Sequence, residues 1–178
     1  MKIFTETERL ILREIVPSDI DAMFALDADP EVHKYLLDSK PVKNKEDSKK
    51  VIEFIRQQYT ERGIGRWAVI LKETGEFLGW SGLKLNIGEE ELNGYTHFYD
   101  IGYRFIKNHW GKGYATESSK AALQYAFANL KLKTIYGITE IENQASHNVL
   151  LKIGLKHIEN FQYGKDNSTL RWYEINNL

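Results

Sequence analysis

The chain has no cysteine. Disulfides, thiolate metal sites and a cysteine nucleophile are therefore excluded, and the composition fits a reducing, cytoplasmic setting. It also lacks an excess of charge. Lys and Arg number 24 against 25 Asp and Glu, a formal net charge of -1, so no global pull towards nucleic acid or anionic membrane is expected. No apolar run approaches the length of a membrane span. Met1 to Arg9 is polar and charged, unlike a signal peptide. The five histidines (His33, His97, His109, His147, His157) are scattered. None has the i, i+4 partner or carboxylate company of a zinc site, and no metal is expected. What is present is ordinary for a folded domain: 178 residues, 42% hydrophobic and 12% aromatic, enough for one domain with a real core.

Along the chain, Arg9 to Arg13 alternates as a short strand, and Pro17 breaks it. Ser18-Asp19-Ile20-Asp21 has the form of a helix N-cap with acid in the first turn. A helix through Met23 and Leu26 then runs to Asp29-Pro30, and Glu31 to Leu36 reads as one further helical turn. Basic Lys43 to Lys50 leads into a helix with Val51, Phe54, Ile55 and Tyr59 at helical spacing, closed by Gly63 and Gly65. Trp67 to Leu71 reads as a buried strand and Phe77 to Leu85 as its hairpin partner. Gly79 and Gly82 within it mark a bulge or a close backbone approach. Asn86 to Gly94, with Glu89, Glu90 and Glu91, reads as a solvated loop, and Thr96 to Ile106 as the next strand. The helix to Leu130 would turn Ala115, Ser119, Ala122, Leu123, Ala126, Phe127 and Leu130 inward. Thr134 to Ile141 is strand-like. Asn143 caps a short helix that stops at Gly154. Leu155 to Tyr163 and Thr169 to Ile175 close the chain as a hairpin across Gly164-Lys165-Asp166-Asn167.

The most informative stretch is Trp110-Gly111-Lys112-Gly113-Tyr114-Ala115-Thr116-Glu117. It joins a strand to a helix. Its glycines let the backbone approach a ligand, and the free N–H groups of the helix's first turn, with the helix dipole, make an anion site. A P-loop would place Ser or Thr after Lys112, where Gly113 stands. A dinucleotide fingerprint would want glycine at Thr116 and a second parallel strand ending in an acid.

Four pieces occur in a fixed order: Thr7 to Arg13, Asp100-Ile101-Gly102-Tyr103, the glycine loop, and Asn143-Gln144-Ala145-Ser146 followed by Lys152-Ile153-Gly154-Leu155. With these, the sequence resembles the GNAT acetyltransferases over nearly its whole length, most closely the RimJ/RimL-like branch that acetylates ribosomal-protein N-termini. The resemblance implies a single α/β (α+β) domain over 1–178. Its sheet is expected to be mixed and mostly antiparallel, with helices on both faces and a central strand pair splayed by a bulge. It implies acetyl-CoA as cosubstrate and no metal. The pantetheine would pair with backbone at Tyr103, Phe105 and Ile106. The pyrophosphate would rest on N–H groups from His109 through Gly111, Lys112, Gly113 and Tyr114 to Ala115. The family's loop usually carries Arg or Gln where this chain has Asn108.

Asn143 is a helix cap on residue type alone; the resemblance adds a hydrogen bond to the CoA arm. Many members place a tyrosine acid where this chain has Leu150. Ser146 is the substitute donor that the RimL-like pattern offers to the departing sulfur. The acceptor is a protein N-terminal amine, as in a ribosomal protein, or a small amine, and the protein is a monomer or homodimer. An alkyl amine is protonated at neutral pH and must lose a proton before attack. Asp100, Glu140 and Glu142 are the candidate bases. Asp100 is favoured because a carboxylate in a central strand is costly unless used or paired; Arg104 or His97 could equally pair it. Glu89 to Glu91 would suit a cationic acceptor if folded over the site. The non-enzymatic alternative is a module that binds CoA without transfer.

Overall fold

Alternating side chains divide the core into two layers, one on each face of a single sheet. The computed structural model describes residues 1–36, 40–164 and 167–177, without the side chains of Glu89 and Glu90. In chain order the elements are β1 (Ile3–Glu6), β2 (Leu10–Arg13), α1 (Ile20–Asp27), α2 (Pro30–His33), α3 (Lys45–Arg62), β3 (Trp67–Leu71), β4 (Phe77–Leu92), β5 (Tyr95–Phe105), α4 (Tyr114–Ala128), β6 (Thr134–Glu140), α5 (Gln144–Lys152), β7 (Lys156–Tyr163) and β8 (Ser168–Asn176). The sheet order is β1-β2-β3-β4-β5-β6-β8-β7. Neighbours are antiparallel except β5 and β6, which run parallel.

Successive strand residues point to opposite faces. Leu10, Leu12, Trp67 and Val69 meet Ala122, Leu123 and Ala126 of α4 and Leu150 of α5. Ile11, Ala68 and Ile70 meet Met23 and Leu26 of α1 and Ile52 and Ile55 of α3. The fold is thus the expected mixed α/β sheet with helices on both faces. Small residues on α4 let it lie close: Ser119 Oγ is 3.4 Å from Ser81 Oγ, both fully buried.

Several local expectations change. On α3 the buried apolar positions are Ile52 and Ile55, whereas Phe54 is 56% exposed. Ser18 does not cap α1. Pro17–Asp19 form a 3-10 turn, and Asp19 holds Arg13 at 2.7 Å and accepts from the Val16 N–H. A buried carboxylate gains more from a charged partner than from an end cap. Strand β1 had no periodic signature; it is fixed by pairing with β2 and by Phe4 stacking on Trp67, ring centroids 4.5 Å apart. The expected loop at Asn86 to Gly94 is strand. β4 and β5 continue outward to a turn at Asn93 (φ 50°) and Gly94 (φ 83°), the left-handed pair that suits a two-residue hairpin. Glu91 on this ribbon is exposed, so its charge does not oppose strand there. The side chains of Glu89 and Glu90, and Lys165 and Asp166 of the last turn, lie outside the described residues.

The feature that positions the site is the parting of β5 from β6. Asp100 and Tyr136 are their one register pair. Beyond Asp100 no further register pair joins the two strands, while β6 pairs with β8 along its whole length, from Thr134↔Asn176 to Glu140↔Leu170. The expected bulge is not in β5: its register with β4 is unbroken from Gly79↔Phe105 to Ile87↔His97. The irregularity lies one strand over, where β3 shifts against β4 between Val69 and Ile70. Gly79 beside it is a close approach, since a Cβ there would stand 2.2 Å from Arg104 O.

Candidate active site

The glycine loop is set by its backbone and braced from behind. Gly111 and Gly113 have φ of 74° and 83°, a region that glycine enters freely. Gly113 precedes α4 with no side-chain cap. Among the described residues, no group accepts from the N–H of Gly111, Lys112, Gly113, Tyr114, Ala115 or Thr116. His109 departs from expectation. Its N–H is spent on Ile106 O, as that of Trp110 is on Lys107 O, within a 3-10 turn. The open donors therefore start at Gly111. Behind the loop, Glu117 ties it to the N-terminal segment. Arg9 Nε donates to its carboxylate at 2.7 Å and Thr7 Oγ1 at 2.5 Å, while Arg9 Nη1 reaches Lys112 O at 3.2 Å. Burial alone would raise the Glu117 carboxyl; the bonds from Thr7 and Arg9 outweigh it and hold it below its usual range. Two of the ordered sequence pieces thus touch.

Two clefts open at the parted strands. The first, about 470 Å³, runs from the loop residues Gly111 to Thr116 past Tyr103 and Phe105 to Asn143 and Ser146. His109 enters its wall by its ring, 3.2 Å from Glu76. Residues of one strand alternate in hydrogen-bonding direction. Ile106 N–H turns to Leu78 O of β4, so Ile106 offers no donor to the cleft. Tyr103 and Phe105 present theirs to the open edge, and Phe105 O already accepts from the Trp110 indole at 2.7 Å.

The second cleft, about 360 Å³, lies between the strands. Trp80, Arg66, Asp100, Thr139 and Glu140 contribute to it. Trp80 sits between two guanidinium groups, Arg66 at 5.5 Å and Arg104 at 5.0 Å from its ring. Arg104 in turn pairs with buried Asp27 at 2.6 Å. Asp100 is held by Arg66 and by Asn86 Nδ2 at 2.7 Å. Burial pushes its carboxyl up, but Arg66, Lys84 and these hydrogen bonds outweigh that and leave it below the ordinary range. The partner is neither Arg104 nor His97. Gly102 explains why: a Cβ there would stand 2.6 Å from Arg66 Nη2, so its absence admits the guanidinium. A carboxylate so held accepts a proton poorly, and its geometry assigns Asp100 to shaping the cleft rather than to base catalysis. Glu140 is half-buried at the cleft wall and Glu142 is exposed outside it.

The clefts share Tyr35, Leu36, Tyr103, Arg104, Asn143 and Ser146. Asn143 caps α5, its Oδ1 accepting from Ser146 N–H at 3.0 Å; the amide Nδ2 is left for a ligand. The Tyr103 hydroxyl lies 2.8 Å from Ser146 Oγ and 3.0 Å from Ser146 O. Burial, against the opposing Ser146 bond, keeps the phenol protonated far above neutral pH. Leu150, where the resemblance would expect a tyrosine, is 2% exposed core.

The family model for the acetyltransferase (GNAT) domain matches residues 9–156. The chain belongs to the GNAT acetyltransferases. Among similar proteins, the uncharacterized N-acetyltransferase p20 of Bacillus licheniformis is 35% identical over 144 residues, 81% of this chain and 77% of its own. The crystal structure of a GNAT-family acetyltransferase from Bacillus anthracis superposes with a TM-score of 0.78 at 26% identity, covering 99% of this chain and 98% of the other. RimL, the ribosomal L7/L12 alpha-N-protein acetyltransferase in complex with coenzyme A, has a TM-score of 0.80 at 18% identity and 98% coverage of both chains, a likeness of fold.

As a GNAT protein the chain is made to bind acetyl-CoA, and the unpaired N–H row at Gly111–Thr116 fits a pyrophosphate. Among the described residues no cluster suits a metal ion, and no helix is long and apolar enough to cross a membrane. Sequence reading missed Ala145, Asn148, Val149 and Lys152, which line the cofactor cleft along one face of α5; their i, i+3, i+4, i+7 spacing carried that signal. It also missed Arg66 and the hydroxyl of Tyr103. Neither has a local pattern, since each acts across a strand or helix distant in sequence.

Proposed function

We propose that the chain transfers the acetyl group of acetyl-CoA to a primary amine by direct attack in a ternary complex. The observation that carries this is the meeting of two clefts at Tyr103, Asn143 and Ser146, one leading to the glycine loop and the other open to an acceptor. Acetyl-CoA supplies an activated carbonyl and a thiolate leaving group. The N–H groups of Gly111 to Thr116 receive its pyrophosphate. The open edge at Tyr103 and Phe105 and the Nδ2 of Asn143 orient its arm. In this reading the hydroxyl pair of Tyr103 and Ser146, 2.8 Å apart, gives a proton to the departing sulfur. The acceptor is a protein N-terminal amine, as in the RimJ/RimL-like branch, or a small amine. With this reading goes a cytoplasmic monomer or homodimer that engages neither nucleic acid nor membrane.

The test is an amine panel, including ribosomal-protein N-terminal peptides, at saturating acetyl-CoA with thiol release as readout. Release that depends on the amine supports transfer. Tight CoA binding with no release from any amine assigns a binding module instead.

A further inference from the structure

With Asp100 held by Arg66, the acceptor's proton needs another destination. On the β6 side of the acceptor cleft, three groups form a line outward. Thr139 lines the cleft and is 5% exposed. Its Oγ1 is 3.3 Å from the hydroxyl of Tyr173 on β8, a fully buried residue. That hydroxyl is 2.6 Å from Nδ1 of His147 on α5, which is half-buried and reaches solvent. Tyr173 otherwise belongs to the apolar core, where its ring suffices for packing. A hydroxyl there costs free energy unless it is bonded, and both its bonds lie along this line.

Building on the acetyl-transfer reading, we propose that Thr139, Tyr173 and His147 form a relay that carries the amine's proton from the acceptor cleft to the surface. The ammonium N–H bond breaks as a proton passes to Thr139 Oγ1. The Thr139 proton moves to the Tyr173 oxygen, and the Tyr173 proton to Nδ1 of His147. Both hydroxyls end neutral, the amine keeps its electron pair for attack, and the imidazolium loses a proton to water. The groups facing His147 are Tyr173 and Arg171 from β8 and His157 from β7. Burial, then Arg171 and His157, hold the imidazole below its usual value, so it stands neutral at pH 7 and able to receive the proton.

The experiment measures thiol release with one accepted amine from about pH 6 up to the amine's own pKa, about 8 for an N-terminal amine and about 10 for an alkyl amine. The variants are Thr139→Val, Tyr173→Phe and His147→Gln, with Thr139→Ser as the conservative control. Each of the first three should lower kcat/KM about a hundredfold at neutral pH, the low end for a proton-transfer group. The deficit should close as pH approaches the amine's pKa, where the amine arrives neutral. Thr139→Ser should keep the wild-type profile. His147→Gln keeps a bond to Tyr173 but takes up no proton, and carries the test if Tyr173→Phe does not fold. A deficit that is constant with pH, no deficit, or a Thr139→Ser loss equal to that of Thr139→Val overturns the relay while transfer by the wild-type chain stands. A wild-type chain that releases no thiol with any amine overturns the acetyl-transfer reading and the relay with it.

Discussion

Asp100 and Tyr103 exchange the roles that residue type gives them. A central-strand carboxylate looks like a base until its neighbours are known; here Arg66, Asn86 and Lys84 consume its charge. Asp100→Asn should leave the shape of the pH–rate profile intact while lowering stability by about 3 kcal/mol in urea unfolding, because it strands a mostly buried Arg66. The sign in pH follows from the depressed carboxyl. Its contribution is present above the unfolded value, near pH 3.9, and is lost as pH falls through the lower folded value. Wild-type acid unfolding should therefore lose a component at low pH that Asp100→Asn lacks. Tyr103 is expected to serve through its backbone, yet its hydroxyl meets Ser146. Tyr103→Phe should reduce kcat about tenfold with little change in the KM for acetyl-CoA. The effect should be smaller than for a poor leaving group, since a thiolate departs readily. Equal KM and kcat losses would count against a proton-donating role.

At the level of elements, the glycine loop is a cradle braced from behind. Its shape depends on α4 being tied to the start of β2 through Glu117, Arg9 and Thr7. Glu117→Gln weakens that tie without touching the donors. It should raise the KM for acetyl-CoA several-fold and leave kcat near wild type, as expected when ground-state and transition-state binding are lost equally. Gly113→Ala forces a Cβ into a left-handed backbone, a cost of about 1–2 kcal/mol, and should weaken acetyl-CoA binding in a titration. The strand–loop–helix layout was legible because glycine and helix-start chemistry are local. The extension of β4 and β5 past Asn86 was not, because cross-strand pairing, not composition, holds that ribbon.

Across the whole molecule, ligand binding and fold are linked through the parted strands. Acetyl-CoA at about 100 times its Kd should add about 2.7 kcal/mol, a rise in Tm of roughly 5–10 °C for a chain of this size. NAD or ATP should give none, a comparison that thermal unfolding settles directly. The sequence by itself determined the glycine loop and the Asn143 cap, since φ preference and capping act over a few residues, and the order of its motifs carried the resemblance that implied the fold class and the family. The tertiary structure alone decided that Arg66 takes Asp100, that Tyr103 reaches Ser146, and that β6 leaves β5 after Asp100. Each of these depends on which distant segments share a sheet edge, and charge pairing in a low-dielectric core is settled by distance in space rather than along the chain.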